Sequence, residues 1–161
     1  MKKLEILCHP FPPIYDNNSK ILLLGSFPSV KSRETKFYYG NPKNRFWIVL
    51  AKLFNEECPL SIESKTEFLL RHNIALWDTL KSCSITGSSD NSIKNPIPND
   101  FDKIIAESKI SQIFCIGKTS YALFSRLTNL NAIYLPSPSP ANCAMSIDKL
   151  VDSYKIILNY L

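Results

Sequence analysis

Two neutral amides and one carboxylate are the side chains of this sequence best placed for chemistry on a planar, hydrogen-bonding ligand. Asn41 sits in the turn Gly40-Asn41-Pro42, directly after three consecutive aromatics, Phe37-Tyr38-Tyr39, and Asn44 opens the block Asn44-Arg45-Phe46-Trp47. So apolar a stretch is unusual for a loop. It reads either as a stacking wall for a flat ligand with Asn41 beside it, or as aromatics folded back on the core around an ordinary turn. Asp78 follows the apolar run Ala75-Leu76-Trp77 and either accepts a hydrogen bond from a ring N–H or caps the next turn. A third segment, Leu135-Pro136-Ser137-Pro138-Ser139-Pro140-Ala141-Asn142, alternates prolines with small polar residues. Its prolines stiffen the backbone, so it is either a rigid connector or a loop presenting hydroxyls and amides at little ordering cost.

Positioning these groups falls to short apolar runs at Ile21–Gly25, Ile74–Trp77, Ile113–Gly117 and Ala132–Leu135, nearly free of charge and bounded by turn residues. Such runs read as strands buried on both faces. Helical spacing occupies Asn44–Phe54, Ile62–Arg71, Phe101–Glu107, Ser120–Thr128 and Ile147–Tyr160, some of it preceded by cap residues such as Ser61 and Ser146. Alternating strands and helices predict an α/β sandwich around a parallel sheet. Ligands of open parallel sheets gather beyond the carboxyl ends of the strands. That rule points to the loops after Leu24, Trp77, Ile116 and Tyr134, which hold nearly all the unusual residues. The stretch Ser82–Asp100, rich in Ser, Asn and Pro, is expected to be an irregular loop.

Composition excludes several classes. With 161 residues, 45% hydrophobic and 20% charged, the expectation is one globular domain over residues 1–161. Lys2 and Lys3 look like the start of a signal peptide, but Glu5 and the prolines from Pro10 onward interrupt any secretory apolar run. Five widely spaced cysteines without a C-x-x-C pair signal neither a disulfide framework nor a metal or iron–sulfur site. A reducing, cytoplasmic location and no bound metal are the resulting expectations. The net charge of +5 favours an acidic partner such as nucleic acid. Ile116-Gly117-Lys118-Thr119 resembles the end of a phosphate-binding P-loop, but Gln112 stands where that motif needs glycine; Lys118 is kept as a candidate DNA-phosphate contact. With only His9 and His72, a Ser/His/Asp nucleophile or a histidine metal cluster lacks its parts.

The run Ile21–Ser29 with Gly25-Ser26-Phe27-Pro28-Ser29, the block Tyr38–Trp47 and the loop Leu135–Asn142 resemble the signature motifs of the hypoxanthine-DNA glycosylase branch of the uracil-DNA glycosylase superfamily. His9–Tyr15 and Ala75–Asp78 are also similar to that branch, so the resemblance spans nearly the whole chain. It implies a three-layer sandwich with a central four-stranded parallel sheet, no cofactor, and hydrolysis of the bond between a deaminated base and deoxyribose in DNA, with the base flipped into a pocket. Carried over by position, Asn41 and Asn44 are the implied catalytic amides, and Gly25, Ser26, Phe27, Tyr39 and Asp78 the implied base-binding residues. Stacking falls to Phe27 or one of Phe37, Tyr38 and Tyr39. Ser137, Ser139, Asn142 and Lys118 are implied DNA contacts, and the protein is expected to act as a monomer.

Two departures stand out. Phe27 lies where many superfamily members carry a water-activating Asp, Asn or Glu, and the opening position of the second motif falls on Leu135 or Ser137. Both are typical of the hypoxanthine branch and imply weaker uracil excision. The competing expectations are a uracil-preferring glycosylase, a DNA-binding module without activity, and a hydrolase of small nucleosides.

Overall fold

The computed structural model describes residues 5–161, so Lys2 and Lys3 lie outside it. Four parallel strands, β2 (Ile21–Gly25), β3 (Ile74–Asp78), β6 (Gln112–Ile116) and β7 (Ile133–Leu135), form a sheet in the order β3-β2-β6-β7. Alternate residues of β2 serve opposite faces, as the two-residue strand period requires. Ile21 and Leu23 pack with Leu76 and Phe114 under one helical layer, whereas Leu22 and Leu24 pack with Ala75 and Cys115 under the other. The first layer consists of α2 (Phe46–Leu53), α3 (Ile62–Arg71) and α6 (Ile147–Tyr154), through Phe46, Leu50, Phe68, Leu150 and Tyr154. The second consists of α4 (Asp102–Ala106) and α5 (Lys118–Leu127), through Phe101, Ile104 and Phe124. This is the expected three-layer sandwich. Burying one such large apolar side chain contributes roughly 1.5–3 kcal/mol, so both layers hold the sheet firmly.

Helix starts follow the cap residues. Ser61 and Ser64 close a reciprocal capping box at α3, and Ser146 accepts from the Lys149 amide at α6. A short helix, α1 (Val30–Thr35), not expected from the sequence, begins at Ser29, which accepts from the Ser32 amide. The last helical turns, Lys155–Tyr160, tighten to 3-10 geometry, so α6 is shorter than the expected Ile147–Tyr160.

Residues 82–100 are not an irregular loop. Strands β4 (Leu80–Ser84) and β5 (Lys94–Pro98) pair antiparallel across register shifts, and β1 (Leu7–Cys8) adds a third strand. The shifts and the two prolines of β5 break the alternation by which such a strand is recognised. The loop between β4 and β5 folds back over the site. Ser88 Oγ accepts from the Val30 amide (2.9 Å), and Arg33 donates to the Gly87 carbonyl (2.9 Å).

Candidate active site

β2 and β3 end side by side, with Gly25 paired to Asp78. A Cβ on Gly25 would lie 2.5 Å from Asp78 Oδ1 and 3.1 Å from the Tyr39 hydroxyl, so a glycine is what lets carboxylate and phenol converge here. Around this point lies a pocket of about 190 Å³, smaller than the roughly 300–1,000 Å³ clefts that hold drug-sized ligands. Most of its wall comes from four places, Gly25–Ser29 at the end of β2, Tyr38, Tyr39, Asn41 and Asn44 before α2, Ser88 and Asp90 between β4 and β5, and Ser137–Pro140 after β7, with Asp78, Ser32 and Ile116 completing it. Of the site residues expected from sequence, all but Lys118 and Asn142 line it.

Asn41 Oδ1 accepts from the Lys43 amide (3.0 Å) and Asn44 Oδ1 from the Phe46 amide (2.9 Å). Each side chain thereby fastens its own turn by its oxygen, and its NH₂ group has no partner among the described residues. Two amide donors on one pocket wall suit an oxygen or ring nitrogen that gains negative charge.

Asp78 does not use its carboxylate to cap the turn that follows it. Its Oδ2 meets His9 Nε2 at 2.7 Å, both side chains being under a tenth exposed, and its carbonyl accepts from Asn99 Nδ2 (2.8 Å). Asp90, unforeseen from sequence, reaches in from a 3-10 turn (Asp90–Ser92) and accepts from Ser26 Oγ at 2.8 Å. Although Asp90 is exposed as a whole residue, burial of its carboxyl raises it above the usual range, opposed by the Ser26 hydrogen bond and reinforced by the charge of Asp78. Tyr39 adopts a left-handed backbone (φ 53°), and its hydroxyl is buried with no partner among the described residues. Burial, then the neighbouring Asp78 charge, pushes that hydroxyl far above the tyrosine range, so it stays a neutral donor. An unpaired buried donor costs about 1–3 kcal/mol, which a bound acceptor would recover.

The aromatics divide. Phe37 stacks on Trp47 (6.1 Å, 18°) and does not reach the pocket. Tyr38 is buried, donating to the Pro12 carbonyl (2.9 Å). Tyr39 lies parallel to Phe46 at 4.0 Å, and Phe27 carries the Arg33 guanidinium over its ring at 5.8 Å. Phe27 and Tyr39 line the pocket, as does one edge of Tyr38, whereas Phe37 belongs to the core packing around Trp47.

Arg45, which the sequence does not mark as a site residue, braces the site from the start of α2. Its guanidinium donates to the carbonyls of Pro138, Ser139, Asn142 and Met145. Tyr154 adds a hydrogen bond to the Pro136 carbonyl (2.8 Å). The Pro-Ser loop is therefore fastened from α2 and α6. Asn142 Nδ2 donates to the Ser137 carbonyl (3.0 Å), which shapes the loop from within. Lys118 is exposed at the start of α5, after Gly117, whose φ of 91° requires glycine and whose Cα faces Ser137.

The fold and pocket define an α/β enzyme domain with its site beyond the carboxyl ends of a parallel sheet. The chain belongs to the uracil DNA glycosylase superfamily, whose family model matches residues 12–161. It is 35% identical over 136 residues, 82% of this chain and 86% of the relative, to a protein named hypoxanthine DNA glycosylase from Methanosarcina acetivorans. A protein of the same name from Methanosarcina barkeri is 38% identical over 92 residues, 56% of this chain and 58% of that relative. Among solved structures, the chain is similar to a solution NMR structure from Methanosarcina acetivorans, for which uracil DNA glycosylase identity has been suggested. The TM-score is 0.78 at 30% identity, covering 96% of this chain and 99% of the other.

Proposed function

We propose that the chain is a monofunctional DNA glycosylase, a single domain over residues 1–161, that flips out a deaminated base, mainly hypoxanthine, and hydrolyses its bond to deoxyribose. Superfamily membership and the two relatives named hypoxanthine DNA glycosylase support this reading. One observation carries it to the residues: a carboxylate acceptor, Asp78, at the end of β3 and two amides with free NH₂ groups, Asn41 and Asn44, line one base-sized pocket. Asp78 accepts the N1–H of hypoxanthine, while the amide donors stabilise the negative charge left on the departing base. Phe27 and Tyr39 flank the ring. Ser137 and Ser139 meet the flanking phosphates, with Lys118 and Asn142 on the DNA side of the same edge, positioning contacts that carry no sequence information. The protein acts as a monomer in the cytoplasm, in keeping with its five free cysteines.

Asp78 equally accepts the N3–H of uracil, which keeps a uracil-preferring activity as a second reading. The test is incubation with matched oligonucleotides holding one deoxyinosine, one deoxyuridine or neither, with EDTA present, followed by alkaline cleavage of abasic sites. Cleavage at deoxyinosine well above deoxyuridine is the expected result. Cleavage at deoxyuridine alone overturns the substrate, and none at either overturns the activity.

A further inference from the structure

His9 lies just past β1, and its ring is boxed by Phe11 (4.6 Å), Tyr38 (5.9 Å) and Phe27 (6.1 Å). Its Nδ1 is 2.7 Å from the Phe11 carbonyl and its Nε2 2.7 Å from Asp78 Oδ2. A carbonyl only accepts, so Nδ1 carries a hydrogen and donates. One proton then remains for the short Nε2···Oδ2 line, on either atom. In both cases Asp78 Oδ1, the oxygen beside Gly25, carries no hydrogen and presents lone pairs only.

We propose that His9 is a positioning and specificity-determining residue that holds Asp78 as an obligate acceptor toward the pocket. This rests on the reading of Asp78 as the group that meets the base. Deamination turns the bare ring nitrogen of adenine or cytosine into an N–H beside a new carbonyl. A fixed acceptor bonds the deaminated ring and confronts the bare nitrogen of its parent with a second lone pair. Discrimination of this kind, in which the wrong ligand leaves a buried polar group unpaired, is much steeper than discrimination by shape. Were Asp78 free to carry its proton on Oδ1, it would donate to adenine and the selectivity would be lost. The groups facing the imidazole are the Phe11 carbonyl, the Asp78 carboxylate and the rings of Phe11, Phe27 and Tyr38. The Tyr38 hydroxyl is itself engaged with Pro12.

The test compares His9→Phe, which fills the aromatic box without a donor, with His9→Gln, which keeps a donor and loses the ring. Single-turnover excision of deoxyinosine is measured beside binding of abasic-site DNA, which offers no base to Asp78. Misplacing one reacting group costs about 10²-fold, so His9→Phe is expected to lose about that much excision while abasic-site binding stays within about twofold. His9→Gln is expected to retain more activity than His9→Phe. A packing role predicts the reverse order, and either that order or parallel loss of abasic-site binding overturns the proposal. Nitrogen-15 NMR of the wild-type imidazole provides an independent readout: Nδ1 protonated, and an Nε2 resonance that moves in Asp78→Ala. A bare Nδ1 overturns the proposal whatever the activity. A wild type inactive on every base with this signature intact overturns the site reading instead.

Discussion

The parallel sheet and the antiparallel ribbon β1-β4-β5 meet at the same pocket but are built on opposite terms. The sheet supplies Gly25 and Asp78 from strand ends buried on both faces. The ribbon supplies Asp90 to the pocket wall from a 3-10 turn and, from a loop after a two-residue strand, His9, which reaches the pocket only through Asp78. The sheet thus places the Asp78 carboxylate, and the ribbon supplies its His9 partner and a second carboxyl, Asp90. A pocket assembled in this way has a rigid half set by the core and a half that rests on a few polar contacts.

Gly25→Ala strikes the rigid half most directly. With Asp78 Oδ1 only 2.5 Å from the new Cβ, the carboxylate must move, and excision is expected to fall by about 10²-fold. The stability loss, about 1–3 kcal/mol by denaturant unfolding, reflects overpacking. An alanine variant with full activity would show that Asp78 need not approach β2 so closely.

Arg45→Ala removes the donor shared by four loop carbonyls. The expected result is a loss of about 1.5–3 kcal/mol, with faster amide exchange confined to residues 136–146. Unchanged exchange there would show that Tyr154 and the prolines hold the loop unaided.

Asp90→Asn probes the ribbon half. A carboxyl raised by burial binds its proton more tightly in the folded protein than in the unfolded chain, so its ionisation costs stability as pH rises. Asparagine still accepts from Ser26 and never ionises. The variant is expected to melt above wild type at neutral pH, with the difference vanishing near about pH 3, where both side chains are neutral. Equal melting temperatures throughout would mean the Ser26 hydrogen bond fully offsets the burial.

Phe37→Leu gives the smallest effect. It removes the stack on Trp47 outside the pocket, so excision is expected to stay within about twofold, with stability reduced by about 0.5–1.5 kcal/mol.

The same contrast explains what was legible in the sequence. All four sheet strands were expected within a residue or two, because burial on both faces leaves continuous apolar runs. Asp78 and the amides were legible because turn residues and strand ends mark them. The ribbon was not: β4 and β5 carry Lys, Ser, Asn and Pro, their pairing shifts register, and β1 has two residues. His9 gives no signal in the sequence because it completes no nucleophilic or metal-binding constellation. Its partner lies 69 residues away, a proximity no local pattern encodes. Arg45 was hidden likewise, since donating to backbone carbonyls leaves no trace in the types of the residues that accept.

The most direct test measures free hypoxanthine released from deoxyinosine DNA in a single turnover by the wild type and by Asn41→Ala. Release by the wild type, reduced about 10²–10³-fold in the variant while its fold and DNA binding persist, is the predicted result. Equal release by both proteins would contradict the assignment of Asn41, and with it the placement of the chemistry in this pocket.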